Sequence, residues 1–316
     1  MTKRVKKKTN KIKAKAVVGS VSKRLLLPGH VMQMVRLQRG RTKRKRTFGD
    51  PQLELYAKLL PGGFLHYGYF DDPDTQARDI SLNDIMRAQL RYAERLLAHV
   101  CDTQAPILDV GCGMGGMVRL MLERGWNPVA LSPDAYQIEA VRRDYPSVEA
   151  IESRFEDMEM AGHEGRYGTV ITSESVNYLD LEKAIPQIET LLRAGGRWIA
   201  CDYFGIGDAG KRLRAERWDR FQERIAASSL EVVHEENITP YVMPTIRYLH
   251  LWGSDIARPI SDYCIAKIKQ KQPGAHYLLE DVIAMFEQKM NRHLEAVNPE
   301  TFAATRRYTL LVMEVK

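Results

Sequence analysis

Residues 107–117 read Ile107-Leu108-Asp109-Val110-Gly111-Cys112-Gly113-Met114-Gly115-Gly116-Met117, and this pattern decides the fold. A short apolar run ends at Val110. Glycines follow at 111, 113 and 115, and Val118, Leu120, Met121 and Leu122 continue as a helix. Glycine allows a sharp turn and a close backbone approach because it has no Cβ. The helix behind such a turn points its unpaired N–H groups at whatever fills it. A lone G-x-G is weak evidence, whereas D-x-G-x-G-x-G between a strand and a helix is far more specific. Gly111, Gly113 and Gly116 also satisfy G-x-G-x-x-G, so glycine spacing alone leaves a dinucleotide open.

Outward from this turn, strands and helices alternate. Strands are expected at 107–110, 128–131, 148–151, 168–172 and 197–203. Ser132-Pro133-Asp134 reads as N-cap, N1 proline and an acid in the first turn of a helix. Such alternation implies βαβ units, a parallel sheet and right-handed crossovers. Upstream, 51–60 has a helical pattern that Pro61-Gly62-Gly63 breaks. Then comes Phe64-Leu65-His66-Tyr67-Gly68-Tyr69-Phe70, an aromatic run without an acidic residue, Lys or Arg. A helix is expected over 81–100, with Ser81 as N-cap and Asp84 at the capping-box position. Downstream, 230–235 and 308–315 read as strands. Between them lie helical stretches at 246–252, 256–269 and 279–294.

The 107–117 run resembles motif I of the class I S-adenosyl-L-methionine (SAM)-dependent methyltransferases. Leu191-Leu192-Arg193-Ala194-Gly195-Gly196, before the fifth strand, resembles that family's L-x-P-G-G turn, with Ala194 in place of proline. The 64–70 run resembles the L-H-Y-G-Y element that precedes the core in its lipid and small-molecule branches. The resemblance covers 64–204 well and the last strand weakly. It implies an α/β fold: a Rossmann-like, doubly wound seven-stranded sheet whose last strand is antiparallel. An N-terminal helical lid would precede the core, and a mostly helical insertion would precede the last strand. The expected organisation is a basic arm (1–48), a helical and aromatic lid (49–100), a SAM-binding core (101–204), a substrate-covering insertion that includes strand six (205–305) and the final strand (306–316).

The resemblance also assigns residues. Asp109, Gly111, Gly113 and Gly115 would hold the methionine part of SAM, with Asp109 on its amino group. The acid that usually ends strand two and binds the ribose is replaced by Ala130 in Val129-Ala130-Leu131-Ser132-Pro133. This is similar to the cyclopropane-fatty-acid-synthase and tocopherol-type branches, and it shifts the ribose contact to Ser132 or Gln137. Phe155 and Glu156, with Asp157 behind them, fall where relatives contact adenine. Ser173 and Glu174 end strand four near the transferred methyl. Glu174 is expected as a base, a substrate ligand or a helix cap, with Asn177 and Tyr178 lining the pocket. Tyr67 and Tyr69 would close over the sulfonium, a cation suited to an aromatic face. His66 is a candidate base, and Tyr203 and Phe204 are pocket candidates. Tyr241, Tyr248, His250 and Trp252 are too loosely placed by the sequence to choose among. No metal ligand set is expected.

Charge is sharply partitioned. Residues 1–48 hold 17 Lys and Arg and no Asp or Glu; the rest holds 30 basic against 40 acidic residues, a balance of −10. An acidic body with a basic arm suits sequence-blind attraction of the arm to nucleic acid or an anionic membrane. No stretch approaches the ~20 apolar residues that span a bilayer, and no secretory signal is visible. The four cysteines lack C-x-x-C spacing and are expected as buried thiols in a reducing compartment. The expected function is methyl transfer from SAM to a hydrophobic small molecule or lipid, including an unsaturated acyl chain as in cyclopropane synthases. The location would be cytoplasmic or peripheral to a membrane. The alternatives are an RNA methyltransferase that uses the arm, and a non-catalytic SAM-binding protein.

Overall fold

The computed structural model describes residues 62–210 and 215–316, with four isolated positions at 28, 29, 32 and 36. The basic arm and the helix expected over 51–60 therefore lie outside the described residues. After residue 61 the chain divides into two compact units, one of 62–252 with 295–316 and one of 253–294.

The larger unit is built on a seven-stranded sheet of order β3-β2-β1-β4-β5-β7-β6. Its strands are β1 (Ile107–Val110), β2 (Pro128–Ser132), β3 (Glu149–Glu152), β4 (Tyr167–Ser173), β5 (Leu192–Gly205), β6 (Leu230–Asn237) and β7 (Arg306–Val315). β1 to β5 are parallel, while β7 runs antiparallel to both β5 and β6. The expected strands are all present; β1 has the expected bounds, β3 is shifted by one residue and the others are longer. β1 and β2 are buried along their whole length, as strands covered on both faces must be.

The period of two sorts β5 and β7 between two cores. Trp198, Ala200, Phe204, Leu311 and Met313 face one, with Phe221 and Ile225 from helix Trp218–Ala226. Ile199, Cys201, Tyr308, Leu310 and Val312 face the other. That second face is covered by α1 (Leu82–Leu97), α2 (Gly116–Glu123) and, further along the chain, Thr239–Leu251. α1 begins with the expected capping box: Ser81 Oγ accepts from the Asp84 N–H, and the Asp84 carboxylate accepts from the Ser81 N–H.

Two local expectations are corrected. The helix after β2 is capped by Asp134, whose carboxylate accepts from the N–H groups of Tyr136 and Gln137; Ser132 is still the last residue of the strand. Cys112 and Cys201 are buried thiols as expected, but Cys101 and Cys264 are exposed.

The described residues of 205–305 fall in both units. Helix Trp218–Ala226, β6, helix Thr239–Leu251 and helix Pro299–Thr305 all pack into the larger unit. Residues 253–294 belong to the second unit, which carries helices Arg258–Lys271 and Pro273–Leu278 and most of Glu280–Ala296. Tyr263, Tyr277, Met285 and Phe286 are exposed on it.

Candidate functional site

The carboxyl ends of β1, β2, β4 and β5 converge on the glycine turn. Gly111, Gly113 and Gly115 have φ of +83°, +55° and +83°, in the left-handed region that side chains resist. Two of them also lack room. A Cβ on Gly111 would sit 2.8 Å from Ser175 Cβ, and one on Gly115 2.8 Å from Tyr145 Cε2. Gly115 is the N-cap of α2, so the turn delivers the helix N-terminus to the same place. Asp109 lies beneath it, 2% exposed, and its Oδ2 has no hydrogen-bond partner. Burial raises its carboxyl to about 7, because a charge without water or a partner is costly. An orphaned buried carboxylate beside a left-handed glycine turn suits a ligand that carries an ammonium group.

The aromatic run rests on this turn without forming a strand. Leu65 packs 3.5 Å from the Cβ direction of Gly113, and Phe64 leaves no space for a Cβ on Gly116. The run is tied down on several sides. Gln89 Nε2 donates to the His66 carbonyl (2.7 Å), the Tyr69 N–H to the Ala88 carbonyl (2.9 Å) and the Phe70 N–H to the Tyr241 carbonyl (2.8 Å). The Tyr67 N–H donates to Glu174 Oε1 at 2.7 Å.

Glu174, just past β4, is the hub. Among the described residues it is the one non-glycine with positive φ, +51°, a strained setting that marks functional positions. Its Oε1 also accepts from the Tyr308 hydroxyl at 2.6 Å. The Tyr308 hydroxyl reaches Tyr92 (3.1 Å), which meets Ser173 Oγ (3.3 Å) and donates to the Cys201 carbonyl (3.3 Å). Burial lifts the Glu174 carboxyl to about 7, against the downward pull of the Tyr308 and Tyr67 hydrogen bonds. The rings of Tyr67, Tyr203, Phe302 and Tyr308 pack around it with centroids 6.1–6.4 Å apart. On the other face, Asp202 is buried and braced by Asn177, whose Nδ2 donates at 2.7 Å. Its carboxyl is also raised to about 7, chiefly by burial.

The structure brings together Asp109, the three glycines, Ser173, Glu174 and Tyr67. Ser132 and Gln137 are also joined, with Ser132 Oγ donating to Gln137 Oε1 at 2.7 Å. Other expectations are redirected. Phe155 is buried in the sheet core, and Glu156 Oε1 accepts from the Asp180 N–H (2.6 Å) while facing Arg154, so neither presents itself to a ligand. Asp157 is an exposed partner of Arg154. Tyr69 stacks on Tyr241 under the Arg95 guanidinium, away from the turn. Tyr178 is 82% exposed. His66 stacks on Tyr92 and burial lowers it to about 4, which makes it a weak base at neutral pH. Phe204 is core, whereas Tyr203 joins the aromatic cluster.

Tyr308, Phe302, Tyr92 and Asp202 were not anticipated. Tyr308 was legible in principle: the first residues of an antiparallel strand seven must lie at the carboxyl ends of its parallel neighbours. Phe302 and Tyr92 sit on helices whose apolar spacing looks like ordinary core.

Residues 107–196 match the family described as "Methyltransferase domain". An uncharacterized methyltransferase of Mycobacterium tuberculosis is 28% identical over 91 residues, 29% of this chain and 37% of that protein. The chain thus spans about 37% of the length of the curated relatives it matches first. The geranyl diphosphate C-methyltransferase of Streptomyces coelicolor superposes with a TM-score of 0.61 at 14% identity, covering 86% of this chain and 95% of that one. The cyclopropane synthase MmaA2 of Mycobacterium tuberculosis does so at 0.58 and 13%, covering 82% and 93%. Residues 107–196 thus match a methyltransferase domain, and the strand order and glycine turn around them are those of the fold that its structural neighbours share.

Proposed function

We propose that this protein transfers a methyl group from SAM to a hydrophobic small molecule or a lipid. The observation that carries the cofactor assignment is the left-handed glycine turn set against the unpartnered carboxyl of Asp109. SAM, when bound, supplies a methyl group already activated on a sulfonium. Asp109 would accept from the cofactor's amino group, and Gly111, Gly113 and Gly115 would let its body approach the backbone. Ser132 and Gln137 would face the ribose hydroxyls.

The remaining work is proximity, orientation and exclusion of water. Tyr67, Tyr203, Phe302 and Tyr308 offer a mostly apolar surface that suits both a cation and a hydrophobic acceptor. Glu174, poised near neutrality, would hold or accept a proton from the acceptor. Its hydrogen bonds also fasten the aromatic run beside the glycine turn. An unsaturated acyl chain as acceptor, in a cyclopropane-synthase-like reaction, is the narrower form of this proposal. The basic arm would hold the protein at an anionic membrane from the cytoplasmic side. The net acidic charge of the chain beyond residue 48 favours this reading over RNA as substrate.

The test is calorimetry with SAM and its demethylated product, followed by methyl-labelled SAM offered with a host lipid extract and, separately, total RNA. Heat from both cofactor forms and label in the lipid fraction are expected. No heat from either, with clear uptake of a nicotinamide or flavin, overturns the assignment.

A further inference from the structure

Arg306 opens β7 and pairs in register with Gly205 of β5, at the carboxyl end of the parallel strands. Among the described residues it is the single buried Lys or Arg, 9% exposed, and no carboxylate lies within ion-pair distance of it. Other arginines of these strands and their cover are paired: Arg307 with Glu235, Arg197 with Glu314 and Arg95 with Glu236. Arg306 Nη1 donates to the Ala296 carbonyl at 2.7 Å, and its Nε–H is buried with no acceptor. The guanidinium lies over the rings of Phe302 (4.8 Å) and Tyr203 (5.5 Å).

A buried cation is costly unless an anion answers it. One carbonyl and two ring faces answer only part of this charge. The rings of Phe302 and Tyr203 in turn pack against Tyr67 and Tyr308. These two hold Glu174 through the Tyr67 N–H and the Tyr308 hydroxyl. A guanidinium and a carboxyl therefore flank a cluster of four aromatic rings.

We propose that Arg306 binds the oxyanion head group, carboxylate or phosphate, of an acceptor whose apolar body lies against this cluster. The inference rests on the hydrophobic-acceptor reading above and narrows it to amphiphilic anions. The planar guanidinium suits a two-oxygen anion in a way an ammonium does not.

The test uses the full chain and isothermal titration with decanoate, decyl phosphate and neutral decanol, in the presence of the demethylated cofactor. Wild type is expected to bind at least one of the two anions about tenfold or more tighter than decanol. Arg306→Gln should lose that preference while its affinity for decanol stays, and Arg306→Lys should restore it only in part. The stronger of the two anions identifies the head group. Equal binding of all three ligands to wild type, or an anion preference that survives in Arg306→Gln, overturns the proposal. If Arg306→Gln does not fold by circular dichroism, the wild-type comparison and Arg306→Lys decide. Cofactor affinity is measured in the same series. Loss of cofactor binding with the anion preference intact would sink the methyl-transfer reading and leave the anion site standing, and the reverse result would do the opposite.

Discussion

The proposed contact between Asp109 and the cofactor's ammonium group makes affinity depend on pH in one direction. The Asp109 carboxyl sits near 7, against an ordinary 3.8, because burial disfavours the charge and Oδ2 has no partner. A cofactor that offers an ammonium group needs the carboxylate, so below 7 each binding event must first remove a proton. With the bound carboxyl held well below 5.5, lowering the pH from 7 to 5.5 weakens binding about 15-fold, ~1.6 kcal/mol. The cofactor's own ammonium titrates near 8 and so lies above this window. Glu174 and Asp202 titrate inside it, which makes Asp109→Asn the essential control: its affinity should be weaker overall and lack the Asp109 share of the slope. Calorimetry in two buffers of different ionisation enthalpy should show proton release on binding at pH 6.5 in wild type and less in the variant. A dissociation constant that is flat from pH 5.5 to 7.5, or an equal slope in Asp109→Asn, would refute the reasoning.

The same carboxyl governs stability of the ligand-free protein. Its folded pKa is raised, so its favourable contribution is complete below about 4 and is lost as pH climbs through 7, an upper limit of roughly 4 kcal/mol. Asp109→Asn should therefore raise the melting temperature at pH 8, by the equivalent of about 2 kcal/mol once lost packing is allowed for; equal melting curves at pH 8 would count against the buried charge. Gly115→Ala must place a Cβ at φ +83° and 2.8 Å from Tyr145; a loss of about 1–3 kcal/mol in chemical denaturation is expected, together with lost cofactor binding. Tyr308→Phe removes one of the two hydrogen bonds that Glu174 Oε1 accepts, so the Glu174-dependent limb of a pH–rate profile should move upward by about one pH unit. Ser81→Ala loses half of the capping box of α1 and should cost about 1 kcal/mol in urea titration without changing cofactor affinity.

The parallel half of the fold was readable because glycine, proline and β-branched punctuation all agreed along 106–204. The glycine turn was equally plain, since D-x-G-x-G-x-G encodes a backbone geometry and the backbone adopts it. Side-chain roles were less legible wherever the same residue could serve packing. Phe155 and Tyr69 looked like ligand contacts, but each found apolar or cationic neighbours from distant segments. Glu156 was claimed by the N–H of Asp180, a contact 24 positions away. The importance of Tyr308 and Arg306 depended on β7 entering the sheet between β5 and β6, information held in pairing rather than in local pattern. The division of 205–305 between two units was hidden for a related reason: it depends on which helices pack against distant strands.

That position of β7 has a consequence for how the protein matures. β6 joins the sheet only through β7, and β5 has β7 on its outer side. While translation is still short of residue 306, β5 presents a bare edge, β6 has no docking partner, and Glu174 lacks the Tyr308 hydroxyl. Emergence of that one segment from the ribosome closes the edge and completes the pocket in a single step. Nascent chains should thus be aggregation-prone yet inert, with competence arriving abruptly rather than by degrees.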